Sequence, residues 1–528
     1  MKQVEKHGIF EWRGEAESAP AAVFRLGGRE VRVQGFRISE SEYAVRFMPD
    51  AEGEWQYRIA RGGAAAATVG TEGAAATDTA SAGGTDAKGA AAGCAVAEGA
   101  FACVPGAAGC HGKVAADGFG FRHADGTAYR PVGTTCYAWI HQTPELEAQT
   151  LETLAAAPFN KIRMCVFPKH MPFNGNDPEL YPFRRGASGK WDVSRPDFRF
   201  WEHLEGAVGR LGDLGIEADL ILFHPYDRWG FAEFGMDECM AYLDYCIGRL
   251  SAYRNVWWSL ANEYDFVFSR KAGDWDAFGR KLMADDPYGH LISIHNGFTL
   301  YPKKEWMTHL SVQNGETERV REWREEYRLP VIIDECGYEG DIEFGWGNLS
   351  AFELVNRAWT AVACGGFITH GETFYREDEV LWWAKGGRLY GESPARFAFL
   401  RELQDEIGDI SPRAMQMPGQ SPNGDQPGGA PEAGARAGSG TGAESRAESG
   451  EGAVPEASGA PGSGLGGAPE AGLGGAPAPE PESKSESELE QKAKQQASEF
   501  MKLIMSMPEE KRISAVRKLA PLVARNED

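Results

Sequence analysis

No run of apolar residues in this chain approaches the ~20 needed to span a bilayer, and the opening Met1-Lys2-Gln3-Val4-Glu5-Lys6 lacks the apolar stretch of a signal peptide. The expectation is a soluble protein of the cytoplasm with no membrane partner. Positive charge is the scarcer sign: 54 basic against 77 acidic residues leave a net charge of −23. Nucleic acid and anionic lipid gain nothing from meeting such a surface, so neither is expected as a partner. Cysteine is thin and irregular, with nine residues and no Cys-x-x-Cys pair. That argues against a disulfide framework and gives no support to zinc; only Cys103 and Cys110 lie close enough to suggest a bridge. No metal and no cofactor is expected.

What is present is material for several folded units: at ~150 residues per unit, 528 residues make roughly three to four. Apolar residues make up 42%, enough for a large core, and the 15 tryptophans exceed what core filling requires. Flat aromatic faces suit sugar rings. Two stretches break the composition. Residues 62–99 are dominated by Ala, Gly and Thr, and residues 416–485 repeat Gly-Ala-Pro-Glu themes. Neither can bury enough surface to offset the entropy of ordering it. The first reads as an expanded loop within an N-terminal domain (1–122), the second as the body of a disordered acidic linker (413–485).

Up to residue 60, apolar and polar residues alternate with period two: Phe10/Trp12, Val31/Val33, Tyr43/Val45/Phe47 and Trp55/Tyr57/Ile59. Pro49-Asp50-Ala51-Glu52-Gly53-Glu54 lies between the last two runs as a turn. This predicts a small antiparallel β-sandwich, with Ala100–Val104 and Phe119–Arg122 as closing strands. At the other end, residues 486–528 carry apolar residues at helical spacing (Leu489, Ala493, Ala497, Phe500, Ile504; then Ile513, Val516, Leu519, Val523). They predict a helical tail that docks on the rest or self-associates.

Between these ends, from 123 to 412, short apolar strands alternate with helical patterns. Strands are expected at Pro131–Cys136, Lys161–Phe167, Glu217–His224, Asn255–Asn262, Leu291–Asn296, His309–Gln313, Pro330–Glu335 and Gly366–His370. Helices are expected at Phe198–Leu214, Glu238–Tyr253, Trp275–Ala284, Glu316–Tyr327 and Ser350–Cys364. Eight βα units over ~280 residues make a (β/α)8 barrel. The interval from Asn296 to His309 holds barely two or three helical turns, so that helix is expected to be short or replaced. The fold class is α/β: a (β/α)8 TIM barrel with a small N-terminal antiparallel β-sandwich, a disordered linker and a helical C-terminal tail.

Catalytic residues of such a barrel gather at the C-terminal ends of its strands. Reading only those positions gives Arg163 on the second strand, His224-Pro225-Tyr226 on the third, Asn262-Glu263 on the fourth and His295-Asn296 on the fifth. The sixth ends in Gln313-Asn314, the seventh in Asp334-Glu335 and the eighth in His370-Gly371-Glu372. Glu263 and Glu335 stand out, because each directly follows an apolar run where an ionised side chain is costly unless it serves a purpose. Glutamates on strands four and seven stand across the mouth from each other. At ~5–5.5 Å, one can attack an anomeric carbon while the other acts as acid and then base. The plainer reading pairs each with an arginine at the rim; Asn262 beside Glu263 weighs against it. Cys336 offers a cysteine nucleophile, but period-two alternation points it away from Glu335.

Asn-Glu closing strand four and Glu closing strand seven resemble the retaining (β/α)8 glycoside hydrolases of clan A. The finer pattern resembles the bacterial glycoside hydrolases of the apiosidase-like barrel group. It is carried by Pro131-Val132-Gly133-Thr134-Thr135-Cys136-Tyr137-Ala138-Trp139, Asn160-Lys161-Ile162-Arg163-Met164, Phe223-His224-Pro225-Tyr226 and Trp257-Trp258-Ser259-Leu260-Ala261-Asn262-Glu263-Tyr264-Asp265. Leu381-Trp382-Trp383 followed by Gly391-Glu392-Ser393-Pro394-Ala395-Arg396 belongs to the same pattern. A small β-sandwich often precedes the barrel in that group, and residues 1–60 are similar to it. The resemblance covers about 1–62 and 100–410; members often carry another β-domain after the barrel, where this chain has its low-complexity stretch and helical tail.

The resemblance implies that Glu263 is the general acid/base and Glu335 the nucleophile. Asn262 would then hydrogen-bond the sugar 2-hydroxyl, and Arg163 would hold Glu335 ionised. Trp139, Trp382 and Trp383 are candidates for stacking on sugar faces. Tyr226, His224, His295 and His370 are candidates for orienting hydroxyls or the carboxylates. The resulting expectation is a retaining glycosidase that trims terminal sugars from plant-derived oligosaccharides. Two other readings compete: a non-catalytic carbohydrate-binding protein on a degenerate barrel, against which the intact glutamates count, and an interaction scaffold whose tail binds a partner.

Overall fold

The computed structural model describes residues 1–60 and 95–408. Most of the Ala/Gly-rich stretch, the linker and the helical tail lie outside the described residues.

Eight strands form the barrel: β1 (Val132–Thr135), β2 (Lys161–Cys165), β3 (Glu217–Phe223), β4 (Val256–Ala261), β5 (Ile292–Ser293), β6 (Leu310–Gln313), β7 (Val331–Glu335) and β8 (Phe367–His370). All are paired in parallel in the order β5-β4-β3-β2-β1-β8-β7-β6. A single bridge between His295 and Ser311 joins β5 to β6 and closes the ring. Six of the eight strands are buried at every position, as expected for parallel strands covered on both faces. Only β6 and β7 depart, at their terminal Gln313 and Glu335, which turn toward the mouth.

The surrounding helices are α1 (Pro144–Ala156), α2 (Phe198–Asp213), α3 (Met236–Leu250), α4 (Ala272–Asp285), α5 (Val320–Tyr327), α6 (Ala351–Ala363), α7 (Trp382–Lys385) and α8 (Ser393–Ile407). Their starts are set by local chemistry: Thr143 accepts from the Leu146 N–H ahead of Pro144, and Ser350 accepts from the Glu353 N–H. No helix lies between β5 and β6, as the short interval foretold. Among the described residues no helix is long and apolar enough to cross a membrane.

The N-terminal region forms two sheets. One runs Lys2–Glu5, Ala95–Val104, Gly53–Ala60, Ala21–Leu26, Arg29–Gln34; the other runs Phe10–Glu15, Glu42–Phe47, Phe36–Arg37. Phe10 and Phe47 from the second pack with Phe24, Trp55 and Phe101 from the first in one core. Three details differ from the sequence reading. Lys2–Glu5 pairs in parallel with Ala95–Val104 rather than antiparallel. The turn at Pro49–Glu54 joins strands of different sheets, so it is a crossover and not a hairpin. The closing strand begins at Ala95, so the last five residues of the Ala/Gly-rich stretch are ordered against Gly53–Ala60.

The largest correction concerns Phe119–Arg122, which does not close the N-terminal domain. Strand Gly120–His123 pairs with Val114–Asp117 and Ala128–Tyr129 in a separate three-stranded sheet. Val114, Phe121 and Tyr129 from this sheet pack on Trp257, Leu291, Ile332 and Phe367, at or next to the first residues of β4, β5, β7 and β8. It is an apolar plug under the barrel. The N-terminal domain is pinned sideways instead: Arg46 reaches Glu205 of α2 and the Arg249 carbonyl of α3, and Met48 N–H donates to Tyr288 at 2.8 Å.

Candidate active site

Above the plug, the barrel interior holds a layer of fully buried ions. Lys161 Nζ donates to Asp219 at 2.9 Å and to Asp334 at 2.7 Å, while Arg163 meets Asp334 at 2.9 Å. Ser311 and Thr369 hydroxyls also donate to Asp334. Those cations hold the Asp334 carboxyl far below its usual range against the penalty of burial.

The layer above it is a cavity of about 490 Å³ at the C-terminal ends of the strands, lined by both Glu263 and Glu335. In a regular strand successive side chains alternate faces, yet Asn262 and Glu263 both line this cavity. Glu263 adopts a left-handed backbone (φ 50°, ψ 58°), rare for a residue with a side chain, and this turns the chain at the end of β4. One hydrogen-bonded chain links the two glutamates. Tyr226 Oη and Asn262 Nδ2 donate to Glu263, the latter at 3.0 Å. Tyr137 Oη donates to Glu335 and lies 3.1 Å from Asn262 Oδ1. His295 contacts both: its Nδ1 accepts from the Glu263 N–H at 3.4 Å, and its Nε2 lies 3.8 Å from Glu335 Oε1. Burial holds that imidazole neutral, so Nε2 carries the proton that faces Glu335.

Burial and the neighbouring charge of Glu263 push the Glu335 carboxyl up to about 7. Lys169 and Arg163 oppose that shift. Arg163, expected to hold Glu335 ionised, acts on it in that direction through its charge and without a direct hydrogen bond. Its guanidinium is committed to Asp334, to Ser311 at 3.0 Å and to Asn262 Oδ1 at 3.0 Å. Arg163 thus fixes the amide of Asn262 so that Nδ2 faces Glu263.

Of the sequence-predicted residues, the structure brings Glu263, Glu335, Asn262, Tyr226 and Trp383 to the cavity wall, with His295 and Arg163 directly behind. It does not bring Trp139, whose fully buried indole donates to Met164 Sδ, or Trp382, which donates to Thr134 at 2.8 Å. Both are core. His224 faces the Phe167 carbonyl, and His370 lies against Thr134 and Phe159; burial lowers each to about 3. Cys336 does share the cavity with Glu335, because alternation ends with the strand. Burial pushes its thiol up to about 12, which removes it as a nucleophile near neutral pH.

Sequence reasoning missed Tyr137, Lys169, Tyr338 and Trp346. Lys169 comes from the long excursion between β2 and α2 (residues 166–197), which also carries the hairpin Phe183–Arg185/Trp191–Pro196. Trp346, from the stretch between β7 and α6, stands 4.9 Å from Trp383 and stacks on Phe344 at 5.6 Å, an aromatic wall fit for a sugar face. Tyr137 alone left a signal, lying two residues past β1. Glu339, His370 and Glu372 bring ligand atoms within 4.8 Å of one another. Their carboxylates, however, accept four consecutive backbone N–H groups from Tyr390 to Ser393, tying the start of α8 to the strand ends.

A family model described as the apiosidase-like catalytic domain matches residues 116–395, and a domain of unknown function (DUF5060) matches 14–61. A solved structure from Bacteroides vulgatus ATCC 8482, described as a candidate glycoside hydrolase, is 36% identical over 77% of this chain and 79% of its own, with a TM-score of 0.68. A family 5 glycoside hydrolase from the same organism is 18% identical over 56% of this chain and 72% of its own, TM-score 0.43. An endo-1,4-β-mannanase from Rhizomucor miehei is 11% identical over 55% and 99%, also at 0.43. These last two are too distant to carry an argument. Among curated proteins no sequence matches. The barrel is glycoside-hydrolase-like.

Proposed function

This chain belongs to the apiosidase-like catalytic-domain family, and we propose that it is a retaining glycoside hydrolase that removes terminal sugars from plant-derived oligosaccharides. The observation that carries the reading is the chain Glu263–Asn262–Tyr137–Glu335 around one cavity. A single phenol spans from one carboxyl to the amide that holds the other. The clan A resemblance of the two glutamates favours the ~5–5.5 Å separation of retaining enzymes over the ~6.5–9.5 Å that admits a water.

In the proposed reaction Glu335 attacks the anomeric carbon as Glu263 gives its proton to the leaving oxygen. A glycosyl ester forms on Glu335 as the glycosidic bond breaks. Water then attacks the same carbon, Glu263 takes its proton, and the ester breaks to free Glu335. The active species is the pair holding one proton between them. Glu263's own charge is the largest electrostatic contribution raising Glu335, so a proton on Glu263 lets Glu335 ionise, helped by the Tyr137 hydroxyl. Above about 7 the pair loses that proton, and kcat/KM is expected to fall. Asn262 is positioned for the sugar 2-hydroxyl, and Trp383 and Trp346 for the sugar face. His295 Nε2, 3.8 Å from Glu335 Oε1, faces the carboxyl from beyond hydrogen-bond distance.

The test is a panel of aryl glycosides (apiosides, arabinosides, galactosides, glucosides) with proton NMR of the first-formed anomer. The expected product retains configuration. An inverted first product overturns the mechanism; binding without any cleavage overturns the enzyme reading in favour of a carbohydrate-binding protein.

A further inference from the structure

Lys169 is 2% exposed, and its Nζ forms neither a hydrogen bond nor an ion pair with any described side chain. A buried ammonium left so is costly unless something else stabilises its charge. Here it is two aromatic faces. Nζ stands 3.3 Å from the Tyr137 ring centroid and 4.5 Å from that of Tyr226. These phenols are the ones whose hydroxyls donate to Glu335 and Glu263 respectively. A cation over a ring face is attracted by ~2 kcal/mol or more once desolvated, and it draws electron density from the ring, making the hydroxyl a stronger donor.

We propose that Lys169 is a positioning residue: held between the two tyrosine rings, its ammonium aims one phenolic hydroxyl at each glutamate and supplies the uncommitted positive charge of the mouth. The inference rests on the glycosidase reading only for its catalytic meaning. Besides the tyrosines and glutamates, the groups that face Lys169 are Arg163 and Cys165 on β2, with His224 and His295 beyond β3 and β5. Arg163 is committed to the ionic layer below, the Cys165 thiol is pushed up to about 12 by burial, and burial keeps both imidazoles neutral. Arg357, also on the cavity wall, is paired with Glu353 at 2.9 Å and with the Cys336 carbonyl, so among the described residues Lys169 is the cation that remains.

The test compares Lys169→Met, which keeps length without charge, and Lys169→Arg, which keeps charge. In the resting protein with 13C-labelled glutamate carboxyls, the midpoint assigned to Glu335 is expected to rise by roughly one pH unit in the Met variant and to stay near the native value in the Arg variant. Tyr137→Phe is expected to raise it too, and the Lys169→Met/Tyr137→Phe double variant to shift it by less than the two single shifts added together. If Lys169→Met does not fold, Lys169→Gln takes its place. An unchanged midpoint in the charge-free variant, or strict additivity with Tyr137→Phe, overturns the inference. Because no substrate is present, a failed hydrolysis assay leaves this result standing. Where turnover is measurable, kcat is expected to fall at least tenfold in the Met variant, with KM changed less.

Discussion

Asp334 and Glu335 are adjacent acids on one strand, and the structure puts them to opposite uses. Asp334 points into the barrel and is surrounded by Lys161, Arg163, Ser311 and Thr369, each answering its charge. Glu335 points into the mouth, opposite another carboxylate, with one phenol for a direct donor. Burial is severe for both. The outcome differs because the layer below is charge-matched, whereas the two acids of the mouth face Lys169, a cation with no carboxylate partner of its own. A matched cluster holds shape; a mismatched one stores reactivity, which is why perturbed titration marks candidate sites.

Breaking the mouth is expected to give the largest effect. Glu335→Ala should lower turnover on the order of 10^4-fold or more, with azide restoring part of it and yielding a product of inverted configuration. The fold should gain from the same change. Glu335 holds its proton up to about 7, against an ordinary value of 4.5, so the folded chain binds more protons than the unfolded one in that window. Stability therefore falls as pH rises from about 4.5 to 7 in the native protein, and chemical denaturation across that range should show the slope flattened in the variant. Near-normal turnover in Glu335→Ala would refute the assignment.

Breaking the lower layer should do the reverse. Asp334→Ala leaves Lys161 and Arg163 buried without their main counter-ion and should destabilise the protein by ~3–5 kcal/mol. A melting temperature close to native would show that the ionic layer is not what holds the barrel interior. A smaller effect sharpens the contrast. Glu263→Asn removes a like charge facing Glu335 and places at φ 50° a residue that tolerates the left-handed region. It should stabilise by ~1 kcal/mol while slowing poor leaving groups far more than activated aryl glycosides. A loss of stability in that variant would mean the side chain's hydrogen bonds outweigh its strain.

The barrel was legible because parallel strands covered on both faces read as apolar runs, and their polar terminators mark the mouth. Glu263 and Glu335 follow directly from that rule. The rule fails where the chain leaves the strands. It names Trp139 and Trp382, near the right ends, without telling that their indoles turn back into the core. It placed Cys336 on the wrong side by extending alternation past the last strand residue. Lys169 and Trp346 belong to excursions whose course is fixed by tertiary packing, so nothing in their neighbours' spacing announces them. Phe121 misled for a different reason: its short strand reads like the N-terminal ones, and only contact with Trp257 and Phe367 shows that it serves the barrel.

That plug fills the end of the barrel opposite the proposed reaction. Phe121 packs at the floor and the ionic layer lies above it, and the residues that line the cavity stand at the rim of the strands. In the proposed reaction the departing alcohol and the incoming water therefore use the same side of the ester on Glu335. A small alcohol entering from that side competes with water for the same ester. Whether the sugar ends as a free reducing end or on a new acceptor is then decided at the rim, and the floor of the barrel takes no part in that choice.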